Sequence, residues 1–219
     1  MSSAKLRIAL IHALRNSVAP AMEAMARGWP DAAPVNLLDD SLSADLARDG
    51  HLTAAMTGRF VSLAKYAAAN GADGILFTCS AFGPAIEAAR AAIAVPVLKP
   101  NESAFAAALA AGSSIGLLVT FPGSLAPLGA ELRALAAGRD LSLVAHMVPD
   151  ALAALQAGDG ATHDRLIAAA ARKLPPGNAM VLGQFSMARA RQHVQDAVAA
   201  TVIATPDAAV ADLRSRLGA

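Results

Sequence analysis

Short runs rich in β-formers alternate along the whole 219-residue chain with long Ala-rich stretches, and this alternation constrains the fold more than any other feature. A strand, a helix and a second strand in that order close most simply as a parallel βαβ unit, so the pattern predicts stacked α/β layers. Strands are expected at Leu6–Ile11, Val35–Leu38, Gly74–Phe77 and Val95–Leu98, then at Ser114–Val119, Leu141–Met147, Ala179–Leu182 and Thr201–Ala204. Helices are expected at Ser17–Arg27, Leu52–Asn70, Ala81–Ala92 and Glu102–Ala111, then at Leu125–Ala137, Asp150–Ala157, Thr162–Lys173 and Met187–Ala199. A closing helix over 206–217 has Pro206 in its first turn, where a missing N–H costs nothing.

The two halves echo each other. Each opens with an apolar strand running into a polar turn, at 11–17 and at 119–124. Each later carries a strand leading into a turn of small residues, at 76–81 and at 182–187. The expected fold is therefore α/β, with two pseudo-symmetric three-layer domains, mainly parallel sheets and an interdomain active-site cleft. The expected boundaries are 1–100 plus 205–219 for the first domain and 101–204 for the second, the last helix returning to the first.

Composition sets the function classes aside in turn. Hydrophobic residues make up 55% and aromatic residues 4%, so Ala, Leu, Val and Ile must build the core. The net charge of +1 and the lack of a basic run or aromatic-basic stripe leave nothing to recruit nucleic acid or an anionic membrane. No apolar run reaches the length of about 18 residues that spans a bilayer. The apolar stretch Leu6–Leu14 contains His12, is closed by Arg15 and lacks a small-residue cleavage site, so a cytoplasmic location is expected. One cysteine excludes an intrachain disulfide framework, and the five histidines lack metal-ligand spacing.

That cysteine, Cys79, lies in Gly-Ile-Leu-Phe-Thr-Cys-Ser-Ala-Phe-Gly-Pro, where a strand gives way to a helix. Strand ends of this kind are where open α/β sheets bind ligands. Free amides at a helix N-terminus would lower the thiol pKa and attract anions, whereas a buried core thiol would be inert. Thr78 and Ser80 can offer hydroxyls, and Ser80 could equally be an N-cap. His12, Asn16 and Ser17 form the loop after the first strand. His12 can pair with the thiol or be merely polar, and Ser17 can cap a helix. Asp39 and Asp40 can meet a substrate amino or hydroxyl group or simply start a turn.

The motifs Gly-Ala-Asp-Gly-Ile-Leu-Phe-Thr-Cys-Ser-Ala-Phe-Gly-Pro, Val-Pro-Val-Leu-Lys-Pro-Asn-Glu-Ser-Ala and Ser-Ile-Gly-Leu-Leu-Val-Thr, in this order, resemble the aspartate/glutamate racemase superfamily. Hydantoin racemases, maleate isomerase and arylmalonate decarboxylase belong to the same group. The resemblance implies a cofactor-independent enzyme, without pyridoxal phosphate or metal, acting on a small carboxylate as a homodimer. It also implies a cysteine from each domain, one on each face of the α-carbon. Cys79 matches the first cysteine and is the expected catalytic acid/base. The expected substrate-binding residues are Thr78, Ser80, His12, Asn16 and Ser17 in the first half and Thr120, Ser124, Gln184, Phe185 and Ser186 in the second.

One departure stands out. The turn that should hold the second cysteine reads Leu182-Gly183-Gln184-Phe185-Ser186, and Gln184 occupies its place. An amide cannot act as acid or base near neutrality, though it can donate to a carboxylate or hold a water. The leading reading is a racemase- or isomerase-type enzyme with Cys79 as its single acid/base. An arylmalonate-type decarboxylase protonating through Cys79 and a catalytically inactive carboxylate-binding protein are the alternatives.

Overall fold

Strands that are apolar on both faces must be covered on both faces, and the central strands of this protein are of that kind. The computed structural model describes residues 5–219. They cluster as two units, one running to Pro100 and joined by Ala209–Ala219, the other Asn101–Ala208. The first contains β1 (Arg7–His12), α1 (Val18–Gly28), β2 (Ala33–Leu38), α2 (Ser41–Asp49), α3 (Ala54–Ala69), β3 (Gly74–Phe77), α4 (Gly83–Ala91) and β4 (Val97–Leu98). The second contains α5 (Glu102–Ala111), β5 (Ser114–Val119), α6 (Pro122–Ala136), β6 (Ser142–Met147), α7 (Ala151–Gln156), α8 (Gly160–Ala171), β7 (Ala179–Leu182), α9 (Arg191–Gln195) and β8 (Thr201–Ala204). The last helix, α10 (Thr205–Arg216), begins in the second unit and ends in the first.

The first sheet has the order β2-β1-β3-β4 and the second β6-β5-β7-β8, and all pairs are parallel. The second unit therefore repeats the strand order of the first. In each, the first and third strands lie at the centre and are almost wholly buried, whereas the outer strands β2 and β6 are partly exposed. The outer position of β2 also accommodates Pro34, which has no N–H to give a second neighbour.

Side-chain alternation shows how the second sheet is covered. Ile115, Leu117, Val119 and Val181 pack with Phe105, Leu109, Leu128 and Leu132 of α5 and α6. Leu118, Met180, Leu182 and Val202 point the other way and pack with Ile167, Ala171 and Val194. Helices cover both faces, and the unit has three layers. In the first unit, the close packing of α10 requires Gly74: a Cβ there would lie 2.9 Å from Leu217 Cδ1 and 3.2 Å from Leu213 Cδ1.

The strand expected over Val95–Leu98 is reduced to Val97–Leu98, and two further local features differ from the sequence pattern. Residues 41–49 form α2, a polar helix that buries only Leu42 and Leu46, one turn apart, and ends on Gly50 in the left-handed region. The helix expected over Met187–Ala199 is instead a 3-10 helix, Phe185–Ala190, followed by the short α9. Its early stop has a cause. The Gln195 amide donates to the carbonyls of Val198 and Ala200 and accepts from the Val202 N–H, which turns the chain directly into β8.

Candidate active site

Polar residues gather at the carboxyl ends of the central strands, where parallel sheets leave peptide groups without further strand partners. In the first unit, β1 and β3 run side by side with Ile11 opposite Phe77, so the next residues, His12 and Thr78, are neighbours. The Thr78 N–H donates to the Ile11 carbonyl at 3.0 Å and carries the pairing one residue past the strand. Cys79 follows, 8% exposed, leading into the 3-10 turn Ser80–Phe82 and then α4.

The Cys79 Sγ accepts from the Ala13 N–H at 2.8 Å. Ala13 is held in turn by Ser43 of α2, whose hydroxyl donates to the Ala13 carbonyl at 2.6 Å. His12 is wholly buried. Its Nε2 lies 2.9 Å from Asn36 Oδ1 and its Nδ1 2.9 Å from Thr78 Oγ1. Asn36 Nδ2 is taken by Met22 Sδ at 3.3 Å, so Oδ1 is the acceptor and His12 carries its proton on Nε2. Nδ1 is then a bare acceptor for the Thr78 hydroxyl. The thiol S–H donates to the Ile11 carbonyl at 3.7 Å, and His12 makes no direct hydrogen bond to it.

This environment reverses the expectation of an acidic thiol. Burial pushes the Cys79 pKa up to about 12, and the donors from Ala13 and Thr78 offset only part of that shift. The amides of α4 begin too far along the chain to help: its first residue is Gly83, and Phe82, not Ser80, stands at its cap position. Desolvation outweighs hydrogen bonding because the sulfur is enclosed at a sheet end. His12 is also pushed below the usual histidine range by burial, with Asn36 opposing. The resting pair is thus a neutral thiol and a neutral imidazole.

Other expected residues take different places. Asn16 and Ser17 belong to a 3-10 turn, Arg15–Ser17; Ser17 is buried at the start of α1, and its hydroxyl caps nothing. Asp39 is engaged by Arg59 and by the Ser41 hydroxyl, and Asp40 by Arg15, so neither carboxylate is free. Asn36, Ala13 and Ser43 are neighbours of His12 and the thiol that the sequence did not single out. Asn36 was open to discovery as the single polar residue in Pro-Val-Asn-Leu-Leu, but its partner lies on another strand.

In the second unit the corresponding turn is closed on itself. Gln184 Oε1 accepts from the Thr120 N–H at 2.5 Å, the Thr120 hydroxyl at 2.9 Å and the Phe121 N–H at 3.2 Å. Gly183 lets the turn approach β5: a Cβ there would sit 3.1 Å from the Leu118 carbonyl and 3.0 Å from Leu117 Cδ1. Ser124 is fully buried in the first turn of α6, while Phe185 and Ser186 are buried in the 3-10 helix. That helix is tied down by Arg189 Nε, 3.0 Å from Asp164 Oδ1, which is also 2.8 Å from His163 Nδ1.

Two buried histidines should make the fold acid-sensitive. His163, like His12, is held below its ordinary pKa of 6.5 mainly by burial, with Asp164 opposing and Arg189 adding to the depression. A depressed folded pKa means that the unfolded chain binds more protons below about pH 6.5. The stability is complete above that pH and is lost as pH falls through the folded values. Urea midpoints should fall steadily between about pH 6.5 and 5, above the range where unfolded carboxylates titrate. His163→Gln should flatten the profile.

Among the described residues, no group of three His, Cys, Asp or Glu side chains could hold a metal ion, and no helix is long and apolar enough to cross a membrane. The family model described as Asp/Glu/Hydantoin racemase matches residues 16–213. A search of curated proteins found no match. Among solved structures, a glutamate racemase isoform from Bacillus anthracis superposes with a TM-score of 0.78 at 15% identity, over 99% of this chain and 83% of that one. Allantoin racemase from Klebsiella pneumoniae gives 0.71 at 20% identity, over 98% and 88%. A double mutant of arylmalonate decarboxylase in its liganded form gives 0.69 at 17% identity, over 98% and 93%. At these identities the likeness is one of fold.

Proposed function

The chain belongs to the Asp/Glu/hydantoin racemase family, and we propose that it is a cofactor-independent racemase- or isomerase-type enzyme moving a proton at the carbon beside a carboxylate, with Cys79 as acid/base. One observation carries this reading. The only thiol stands at the carboxyl end of a central parallel strand, its sulfur held by the Ala13 N–H and its own S–H on the Ile11 carbonyl, beside the buried His12–Thr78 pair of the neighbouring strand ends.

A thiol kept neutral by its surroundings is first of all a proton donor. When it protonates a carbanionic or enediolate carbon, the S–H bond breaks, a C–H bond forms and the electron pair stays on sulfur. The Ala13 N–H then stabilises the thiolate. In the opposite direction the thiol first gives its proton to solvent, the S–H bond breaking and the electron pair staying on sulfur. The thiolate so formed removes the α-proton of the substrate. Both directions use one sulfur, as expected of an enzyme whose second family cysteine is replaced by Gln184.

A second reading, the arylmalonate-type decarboxylase, is favoured by the raised thiol pKa. Carbon dioxide would leave with cleavage of a C–C bond, the electron pair would stay on carbon, and Cys79 would supply the proton. The thiolate would recover its proton from solvent.

Incubation in heavy water with amino acids, hydroxy acids and malonates, followed by NMR at the α-position, separates the readings. Deuterium incorporation without net loss of carbon supports the isomerase, and carbon dioxide release from a malonate supports the decarboxylase. A panel in which no α-position exchanges and no carbon dioxide appears would sink both.

A further inference from the structure

Gln184 is built to donate. Three donors converge on its Oε1, and they fix which end of the amide points where, because a reversed amide would set an NH2 group against two backbone N–H groups. Nε2 therefore faces away from the Thr120–Phe121 turn. It has no partner among the described residues, although the residue is only 8% exposed. An amide whose oxygen accepts several hydrogen bonds is polarised, and its N–H groups become stronger donors.

A second feature singles out the same sheet edge. Ser186 Oγ and Thr205 Oγ1 are buried and lack hydrogen-bond partners. Ser186 lies two residues after Gln184. Thr205 follows Ala204, which is in register with Leu182, so both hydroxyls belong to the carboxyl ends of adjacent strands β7 and β8. Buried hydroxyls without protein partners are uncommon and mark places completed by water or by a ligand.

We propose that Gln184 is a substrate-binding donor whose Nε2 holds an oxygen of the substrate carboxylate, so that the position of the second family cysteine serves charge stabilisation rather than proton transfer. The backbone N–H groups of Thr120 and Phe121 and the Thr120 hydroxyl act through it. They orient and polarise the amide instead of meeting the ligand themselves. The donor selects ligands that present an acceptor oxygen at this point. This inference rests on the reading of the protein as an enzyme for a carboxylate.

Gln184→Glu is a discriminating variant. It keeps an oxygen for all three donors, so the fold is retained, but it replaces the outward NH2 by a second, anionic oxygen. Phenylmalonate should bind at least tenfold more weakly to Gln184→Glu than to the wild type. In the wild-type protein labelled with 15N, phenylmalonate should shift the side-chain amide resonances of Gln184. Undiminished binding by the variant, or binding that perturbs other resonances and leaves those of Gln184 in place, overturns the proposal. If malonate, phenylmalonate and aspartate all leave the spectrum unchanged, the carboxylate reading and this inference fall together. Cys79→Ser separates the two: full activity of that variant defeats the enzyme reading based on the thiol but leaves a Gln184 shift intact.

Discussion

Cys79→Ser should reduce proton exchange at the substrate α-carbon by about 10²- to 10⁴-fold, the range that a positioned acid/base group contributes. A serine hydroxyl fills nearly the same volume and can accept from the Ala13 N–H, so the fold should survive and the loss should fall on turnover. The native thiol should also react slowly. With its pKa pushed up to about 12, the thiolate fraction near pH 7 lies on the order of a thousandfold below that of a free cysteine. Iodoacetamide should alkylate Cys79 slowly at pH 7, with the rate rising about tenfold per pH unit through pH 10. Turnover that depends on the neutral thiol should stay level over the same interval. Rapid alkylation at neutral pH would contradict the enclosed, protonated sulfur described above.

Phe60→Ala should be the most destabilising single change near the site. Phe60 lies on α3 with no exposed surface, and its ring stacks on Phe77 at 5.2 Å and on Phe82 at 4.8 Å. Those two residues bracket Thr78–Cys79, one ending β3 and the other closing the following 3-10 turn. Truncating a buried Phe costs about 3–5 kcal/mol in lost burial and cavity formation. For a chain of this size that corresponds to a Tm lower by roughly 6–20 °C, which calorimetry can measure. The turn carrying the thiol should loosen as well, so Phe60→Ala should raise the alkylation rate of Cys79 while lowering stability. Phe60→Leu should retain much of both properties. An unchanged alkylation rate in a destabilised Phe60→Ala protein would show that the aromatic stack supports the fold without shaping the thiol turn.

Much of the architecture was legible because α/β periodicity is local. Gly74–Phe77, Ser114–Val119, Ala179–Leu182 and Thr201–Ala204 form strands over the expected residues, and α5 matches its expected span. The 3-10 helix at Phe185–Ala190 was not legible, because its shape depends on Gln195 closing onto β8 and on Gln184 reaching back to Thr120. Neither did the polar sequence of α2 announce a helix. It matters to the site through Ser43, which holds the Ala13 carbonyl from 30 positions away.

The sequence by itself determined that the fold is α/β in two halves that echo each other, and that Cys79 follows a buried strand. Both follow from short-range patterns of apolar, small and turn-forming residues. Only the tertiary structure decided the chemistry available there. Cys79 has Ala13, 66 residues away, as its donor, and Gln184 has Thr120, 64 residues away. Desolvation and hydrogen-bond direction depend on such distant neighbours. The thiol is therefore neutral and not acidic, and the glutamine presents its NH2 and not its oxygen.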